Sequence, residues 1–494
     1  MPKTDGNSSG TIRWMSAPTN FSVPGASTEP AKAKLAEREQ GLRHSLSSRQ
    51  VAMIGLGSTI GTGLFLGSAL SVQLAGPAVV ISFAVGALIA LTVMWALAEM
   101  SAAHPAPGSF GLYAEMYLHP WAGFVVRYTY WFTLVLIIGT EVVAAQIYCK
   151  LWFPTVPSWM WITAFSAAIL YVNTIDVKNF GTFEYFLAMI KVVTIVIFLV
   201  LGLAILFGIG FPRVGFRNFT AYGGFFPYGW RGVGLGVVMA IFSYLGLEIV
   251  GTTAGEAANP KVAVPRALRR TLLILAIFYL GSLTLVVGLV PWTTIGVAES
   301  PFVRVFQTVY IPSAGHLMNF VVLTAALSSA MCNLYFTARM LFSLARGGYA
   351  PGFLGNLSKR GMPVASVIAS GAGLVVALLR SHFFQESAFV YLIGVAFFGG
   401  PFAWIITLAA HLAFRASATR TGTPFARFAP PGPWSSLAGM IALIAVLIST
   451  WWVPGFRITL AAGAVWLLFL SLCYFVWTRF NAPTSRRTRA NSDG

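Results

Sequence analysis

The chain has 494 residues, of which 57% are hydrophobic and only 9% are charged, and its mean hydropathy is +0.76. Soluble domains carry roughly 25% charged residues, so this composition excludes a soluble globular protein and predicts an all-α integral membrane protein. The net charge of +18 could suit a nucleic-acid-binding protein, but the distribution of that charge along the chain argues against nucleic acid as a partner.

Residues 1–45 are rich in Ser, Pro, Ala and charge and lack an apolar signal core, which predicts a disordered cytoplasmic tail. The membrane domain is predicted at 46–480, followed by a basic cytoplasmic tail at 481–494. Apolar stretches of about 20 residues recur through this domain, and each is long enough to cross a bilayer. The twelve predicted spans are roughly 50–73, 78–103, 121–150, 157–175, 182–210, 231–252, 267–291, 313–343, 363–380, 388–414, 434–453 and 456–478.

Lysine and arginine are distributed unevenly between the two ends of these spans. If the N-terminus is cytoplasmic, the outside segments hold only Lys150, Arg213, Arg217, Arg231, Arg304, Arg380 and Arg457. Most of the remaining basic residues then fall in cytoplasmic segments, as the positive-inside rule requires. The charge pattern therefore predicts a multi-pass protein of the plasma (inner) membrane with both termini cytoplasmic, and anionic lipid is a possible contact of its basic tail.

A glycine cluster lies in the middle of the first predicted span. Gly57, Gly61 and Gly63 surround Ser58, Thr59 and Thr62, and a continuous helix would lose stability at each glycine. One interpretation is helix packing, because Gly57 and Gly61 make a GxxxG spacing. The other is a helix that breaks at mid-membrane depth, where its freed backbone groups can bind a charged solute. The clustered hydroxyls favour the broken helix and hence a transporter.

A second interruption supports this interpretation. Residues 50–210 hold five spans and residues 231–414 hold five more, so the second set runs in inverted orientation; 434–478 holds two extra helices. The first span of the second set is also disrupted, at Ser243–Gly251, which contains Gly246 and Glu248. Matched interruptions in corresponding spans are the sequence feature that points to a mid-membrane site.

Three ionisable residues lie well inside predicted spans: Glu141, Lys191 and Glu248. Each is costly in a bilayer, so we expect a functional role facing the protein interior, the alternative being a buried structural pair. Glu99 and Glu184 lie near span ends; we expect them to be less informative, with Glu99 facing the membrane interface.

Other functional classes find little support. The three cysteines and six histidines match no metal-ligand spacing, which predicts no metal and no cofactor. No nucleophile–base pair occurs at matching depth, so an enzyme is not expected. Residues 104–120 carry helix breakers at both ends, which predicts a short interfacial helix on the cytoplasmic side.

Several segments resemble the amino acid transporter branch of the amino acid–polyamine–organocation superfamily. The resemblance covers residues ~42–480 and is carried by motifs in the same order as in that family. They are Gly57-Ser-Thr-Ile-Gly-Thr-Gly-Leu-Phe, Leu97-Ala-Glu-Met, Phe183-Glu-Tyr-Phe-Leu-Ala-Met-Ile-Lys-Val, Gly255-Glu-Ala-Ala-Asn-Pro and Thr337-Ala-Arg-Met-Leu-Phe-Ser. Many members have Gly-Gly where this chain has Gly57-Ser58.

The resemblance implies about twelve transmembrane helices in a five-plus-five inverted-repeat, leucine-transporter-type fold with helices 1 and 6 broken. It implies amino acid uptake by proton symport, with an amino acid, protons and membrane lipid as partners. It places the substrate carboxylate at the first break and the substrate ammonium at carbonyls of the second, and a lysine of the fifth span in the proton-coupling position. The corresponding residues here are Ser58, Thr59, Gly61, Thr62 and Gly63, then Phe242, Ser243 and Tyr244, and Lys191.

Glu141 and Glu248 complete the predicted substrate site. An acid at position 141 could meet a cationic side chain, but the resemblance includes permeases for aromatic amino acids with Glu there, so the substrate stays open. Two alternatives to a symporter also remain: an amino acid exchanger, and a non-transporting sensor that binds an amino acid and signals through its tail.

Overall fold

A computed structural model describes residues 48–105, 108–175, 177–252, 260–296, 299–308, 312–383 and 388–480, so the predicted tails at 1–45 and 481–494 lie outside it. The α-helices of these ranges are α1 Ser48–Thr59, α2 Ser68–Ala75, α3 Val79–Ala103, α4 Ser109–Tyr117, α5 Pro120–Cys149, α6 Ser158–Ile175, α7 Val177–Phe207, α8 Gly229–Tyr244, α9 Ile249–Thr252, α10 Pro260–Leu289, α11 Pro301–Thr308, α12 Pro312–Arg346, α13 Val364–Ser370, α14 Ala372–Phe383, α15 Ala388–Phe397, α16 Gly399–Thr421, α17 Trp434–Ser449 and α18 Ile458–Phe480.

Within the described ranges, nine helical stretches are long and apolar enough to cross a membrane. The first, Gln50–Ala103, has 54 residues and holds the first two predicted spans, which are separated by a turn at Gly76. The shorter helix α6 and the consecutive pair α13 and α14 occupy the predicted fourth and ninth spans. The all-α membrane fold expected from the sequence is therefore confirmed, and α4 and α11 are short helices between spans.

The first span is broken where its glycines cluster. Helix α1 ends at Thr59, the chain bends at residues 60–62, and a π-helical segment at Gly63–Gly67 leads into α2. The glycines allow other parts of the protein to approach this backbone closely: a Cβ at Gly63 would lie 2.9 Å from the Ser243 Cα. Such a close contact requires a residue without a side chain, so the glycine cluster allows the two broken helices to pack closely together.

The sixth span is broken at the matching place. Helix α8 ends at Tyr244 and α9 begins at Ile249, with Gly246 between them at a φ of +102°, which only glycine adopts readily. The two breaks touch each other, since the Ser58 Oγ donates to the Gly246 carbonyl oxygen at 3.2 Å. The predicted interruptions of helices 1 and 6 are thus present and adjacent.

Helix α5 lies at the centre of the bundle and packs against α12, α14 and α15. Its closest approach uses glycines on both sides: a Cβ at Gly139 would lie 2.6 Å from the Gly373 carbonyl oxygen. A Cβ at Gly373 would lie only 1.7 Å from the Val135 carbonyl oxygen. Small residues let membrane helices approach this closely, and the contact holds α5 in place beside the two breaks.

Two expectations for the cytoplasmic side are wrong. Helix α4 is not interfacial, because Ser109–Met116 are all buried where α4 packs against α5 and α16. An ion pair of 2.9 Å between Glu115 and Arg127 links α4 to α5. The reason is tertiary: the polar positions of this short helix find partners on neighbouring helices instead of solvent.

Glu99 does not face the interface either, because it is fully buried. Its carboxylate accepts hydrogen bonds from the Arg415 guanidinium at 2.7 and 2.8 Å and lies 2.7 Å from the His411 Nε2. The backbone amides of Phe428 and Ala429 also donate to it, at 2.8 and 2.9 Å. Glu99 therefore ties α3 to α16 and to the segment that follows α16.

Candidate functional site

A buried cavity lies where the two broken helices meet α5 and α12. The cavity has a volume of about 20 Å³, which is room for about one water molecule. All of its lining residues are buried. They are Ser58, Thr59, Gly63, Tyr130, Thr133, Leu134, Ile137, Glu141, Phe242, Leu245, Gly246, Ser329 and Asn333.

Five of the residues predicted for the substrate site line this cavity: Ser58, Thr59, Gly63, Glu141 and Phe242. The other five, Gly61, Thr62, Ser243, Tyr244 and Glu248, are not part of the lining. Ser243 packs beneath Gly63, and the Tyr244 hydroxyl donates to the Phe83 carbonyl oxygen at 3.3 Å, away from the cavity. Glu248 is buried behind Tyr130, whose hydroxyl donates to its Oε1, and the Gly246 amide donates to its Oε2 at 3.1 Å.

Glu141 lies directly against the first break. Its Oε1 and Oε2 are 3.4 and 3.3 Å from the Thr62 backbone nitrogen, which is one of the amides freed where the helix opens. The Ser329 Oγ donates to its Oε1 at 2.9 Å, and the Asn333 Nδ2 donates to the Ser329 Oγ at 3.3 Å. The carboxylate is therefore held from two sides, by the backbone of the first break and by side chains of α12.

Lys191 is fully buried on α7, and its Nζ donates to the Gly57 carbonyl oxygen at 2.7 Å. That carbonyl belongs to the last turn before the break, so the lysine bonds to the end of α1. Glu184 and Glu141 are both close enough to interact with its charge. Lys191 thus connects the fifth span to the broken first span, as its predicted role requires.

Glu184 is a buried acid that the sequence analysis undervalued. The Ser328 Oγ donates to its Oε1 at 2.5 Å, and its Oε2 has no partner in the described part of the chain. A Cβ at Gly57 would lie 2.0 Å from the Glu184 Oε1, so this carboxylate packs on the backbone of α1. The sequence signal for Glu184 was its spacing from Lys191. Residues seven apart lie on the same helix face, two turns from each other, so Glu184 shares a face of α7 with Lys191.

Tyr279 of α10 is a second residue that the sequence analysis missed. Its hydroxyl lies 3.0 Å from the Thr59 carbonyl oxygen and 2.9 Å from the Ser243 carbonyl oxygen, so it bridges the two breaks. A tyrosine hydroxyl has one proton to donate, so the two carbonyls share a single donor. A polar ring tip in the middle of an apolar helix is the only sequence signal for this role.

No group of three or more His, Cys, Asp or Glu side chains in the described ranges could hold a metal ion. The arrangement instead offers opened backbone, hydroxyls and buried ionisable groups around one cavity. Two interrupted helices that meet at such a cavity define a solute transporter. Its family follows from comparison with known proteins: residues 50–491 match the family model described as "Amino acid permease", and the chain belongs to that family.

Similar proteins cover nearly the whole chain. An uncharacterized amino acid permease, YtnA, of Bacillus subtilis strain 168 is 38% identical over 443 residues, 89% of this chain and 96% of that protein. The gamma-aminobutyric acid permease of the same strain is 36% identical, covering 92% of this chain and 97% of that protein. The aromatic amino acid transport protein AroP of Escherichia coli O6:H1 is 36% identical, covering 91% and 98%. The relatives are transporters, and they support amino acid transport by this multi-pass membrane protein.

Proposed function

We propose that this protein imports an amino acid across the plasma (inner) membrane by proton symport. The observation that carries the proposal is the buried cavity between the two broken helices, with Lys191 bonded to the end of the first half-helix. Opened helices offer amides to a carboxylate and carbonyls to an ammonium, the two groups that every amino acid has. The groups at the two breaks therefore suit the common part of an amino acid, whatever its side chain, and the cavity must widen for the substrate to enter.

The substrate carboxylate binds at the first break, where Gly61, Thr62 and Gly63 precede the π-helical segment. The partial positive charge at the start of the following half-helix favours an anion there. The substrate ammonium faces the carbonyls at the end of α8, around Phe242 and Ser243. Its side chain points toward α5 and α12, where Glu141, Asn333 and the apolar Ile137 give the cavity a mixed lining.

The proposal does not specify which side chain the transported amino acid carries. The relatives named above are described as transporting gamma-aminobutyric acid and aromatic amino acids, and these are chemically different. We expect a competition screen over the natural amino acids, with the protein expressed in an uptake-deficient strain, to show one chemical class that competes and accumulates.

The same screen separates the alternatives. An exchanger takes up labelled substrate only when the cells are preloaded with unlabelled amino acid, whereas a symporter accumulates it in response to an imposed proton gradient. A sensor binds without uptake. Binding without uptake under either condition would contradict the proposal.

We also propose that both termini are cytoplasmic. Cysteines introduced as Ser8→Cys and Ser492→Cys should resist an impermeant maleimide in intact cells and react after permeabilisation. The matched positive control is Thr155→Cys, which is exposed in the segment between α5 and α6 that the proposal places outside. The unaltered chain controls for its native cysteines. Labelling of both terminal cysteines in intact cells, with none at position 155, would reverse the topology.

A further inference from the structure

We propose that the Glu141 carboxylate is a placeholder for the substrate carboxylate: the substrate enters its position only after Glu141 has taken up a proton. This inference rests on the proposed function and adds a residue that controls admission of the substrate. It differs from the role of Lys191, which acts when the loaded site opens to the other side.

The geometry places Glu141 where the substrate carboxylate is expected. The freed Thr62 amide is directed at its two carboxylate oxygens, at 3.3 and 3.4 Å. The carboxylate also packs on the opened backbone itself, because a Cβ at Gly61 would lie 2.6 Å from its Oε1. An amide at the start of a half-helix is a favourable site for an anion, and the empty protein fills it with its own acid.

The charged and titratable groups that face Glu141 come from several helices. Lys191 of α7 and Tyr279 of α10 interact with its charge, as does Tyr148 of α5 itself. Helix α12 presents the Ser329 hydroxyl, and its thiol at Cys332 faces Glu184 instead. The nearest acid on the second break, Glu248, is bonded to Tyr130. Among these groups, Lys191 is the cation that faces Glu141. Its Nζ donates its hydrogen bond to the Gly57 carbonyl oxygen.

Two ionised carboxylates cannot share this position. Like charges in contact repel strongly where water is excluded, so one of the two must be neutral for both to occupy one site. A proton from solvent converts Glu141 to the neutral acid, which is a weaker acceptor for the Thr62 amide. Its side chain lines the cavity, where the neutral acid can donate its own proton to a hydrogen bond.

The number of ionised carboxylates at the first break stays at one in this exchange. The proton on Glu141 comes from solvent and the zwitterionic amino acid brings no net charge, so the net charge of the site rises by one. Substrate and this proton therefore enter the site together. Because binding takes up one proton, the apparent affinity should fall by about tenfold for each pH unit above the titration of Glu141.

The test is a titration of the purified full chain with an equimolar mixture of the twenty natural amino acids, followed by thermal unfolding at about pH 5.5 and about pH 8.5. In the unaltered protein, the concentration that gives half of the stabilisation should rise at least about tenfold between these two pH values. Glu141→Gln removes the charge at nearly constant shape, so the same ratio should be less than about twofold.

The matched control is Glu99→Gln, which removes another fully buried acid, one that contacts His411 and Arg415 rather than Thr62. We expect it to keep the pH dependence of the unaltered protein. Glu141→Asp is a second variant in case the first does not fold. Aspartate keeps the acid but is one methylene shorter, so its carboxylate should no longer reach the Thr62 amide. The pH dependence should therefore be weaker in this variant.

The outcomes separate the two proposals. If no amino acid stabilises the unaltered protein at either pH, the proposed function fails, and this inference fails with it. If the mixture binds and Glu141→Gln retains the full pH dependence, the placeholder role alone is overturned. Loss of the pH dependence in Glu99→Gln to the same extent as in Glu141→Gln would also overturn it, because the effect would not be specific to the contact with Thr62.

Discussion

Replacing Lys191 by arginine is expected to leave substrate binding within a few-fold of normal and to abolish accumulation against a gradient. The lysine is fully buried, and its Nζ bonds to the Gly57 carbonyl oxygen at 2.7 Å. When protonated, Lys191 holds the end of α1 against α7. Loss of the proton removes its positive charge and one of its N–H donors, which weakens this contact. Binding and release of the proton thereby shift the equilibrium between two states, one with the end of α1 held against α7 and one with it released.

Arginine keeps a permanent charge, because its guanidinium is not deprotonated in proteins. The variant should therefore bind substrate and remain in the state in which the half-helix is held. Binding would be measured by stabilisation with amino acids, and accumulation by uptake into proteoliposomes under an imposed pH gradient. The size and thermal stability of the purified variant would establish that the larger side chain is accommodated.

The rival assignment places the coupling proton on Glu248, which is buried between Gly246 and Tyr130. Native accumulation by Lys191→Arg, together with loss of accumulation in Glu248→Gln, would move the coupling role to that acid. Native accumulation by both variants would remove both residues from the coupling step.

Substitution of Gly61 by valine is expected to abolish substrate binding while the protein still inserts and folds. A Cβ at this position would lie 2.6 Å from the Glu141 Oε1, 2.6 Å from the Ser329 Oγ and 2.9 Å from the Ser329 Cβ. These distances are too short for a real contact, so Ser329 and Glu141 must move away from the opened backbone. The branched side chain would then occupy the place where a substrate carboxylate approaches the amides.

The matched control is Gly234→Val, a glycine of α8 at which an added Cβ meets no atom within 4 Å. Expression, monodispersity and uptake should be normal for this control, whereas Gly61→Val should show normal expression and no uptake. Uptake by Gly61→Val with an unchanged KM would indicate that the glycine serves helix packing, which is the other interpretation of the GxxxG spacing.

The class of fold could be predicted from the sequence alone, because the relevant signals are local. Apolar runs of bilayer length do not depend on the rest of the chain, and neither does a glycine cluster that cannot sustain a helix. The breaks were predicted at Gly57–Gly63 and Ser243–Gly251, and they are found at residues 60–62 and 245–248. The order of motifs was sufficient to identify the family as well.

Which side chains and backbone groups contact one another could not be predicted without the packed structure. Glu184 packs on the backbone of Gly57, Tyr279 bridges the two breaks, and the Glu141 carboxylate takes the Thr62 amide. These contacts join residues far apart in the chain: 36 positions for Ser243–Tyr279, 79 for Thr62–Glu141 and 220 for Thr59–Tyr279. Such contacts depend on the rotation and approach of packed helices. The hydrophobic pattern of a span does not determine that rotation, because most of its faces are apolar. The pattern also does not distinguish an acid buried between helices from one at the membrane interface, because that difference depends on neighbouring helices.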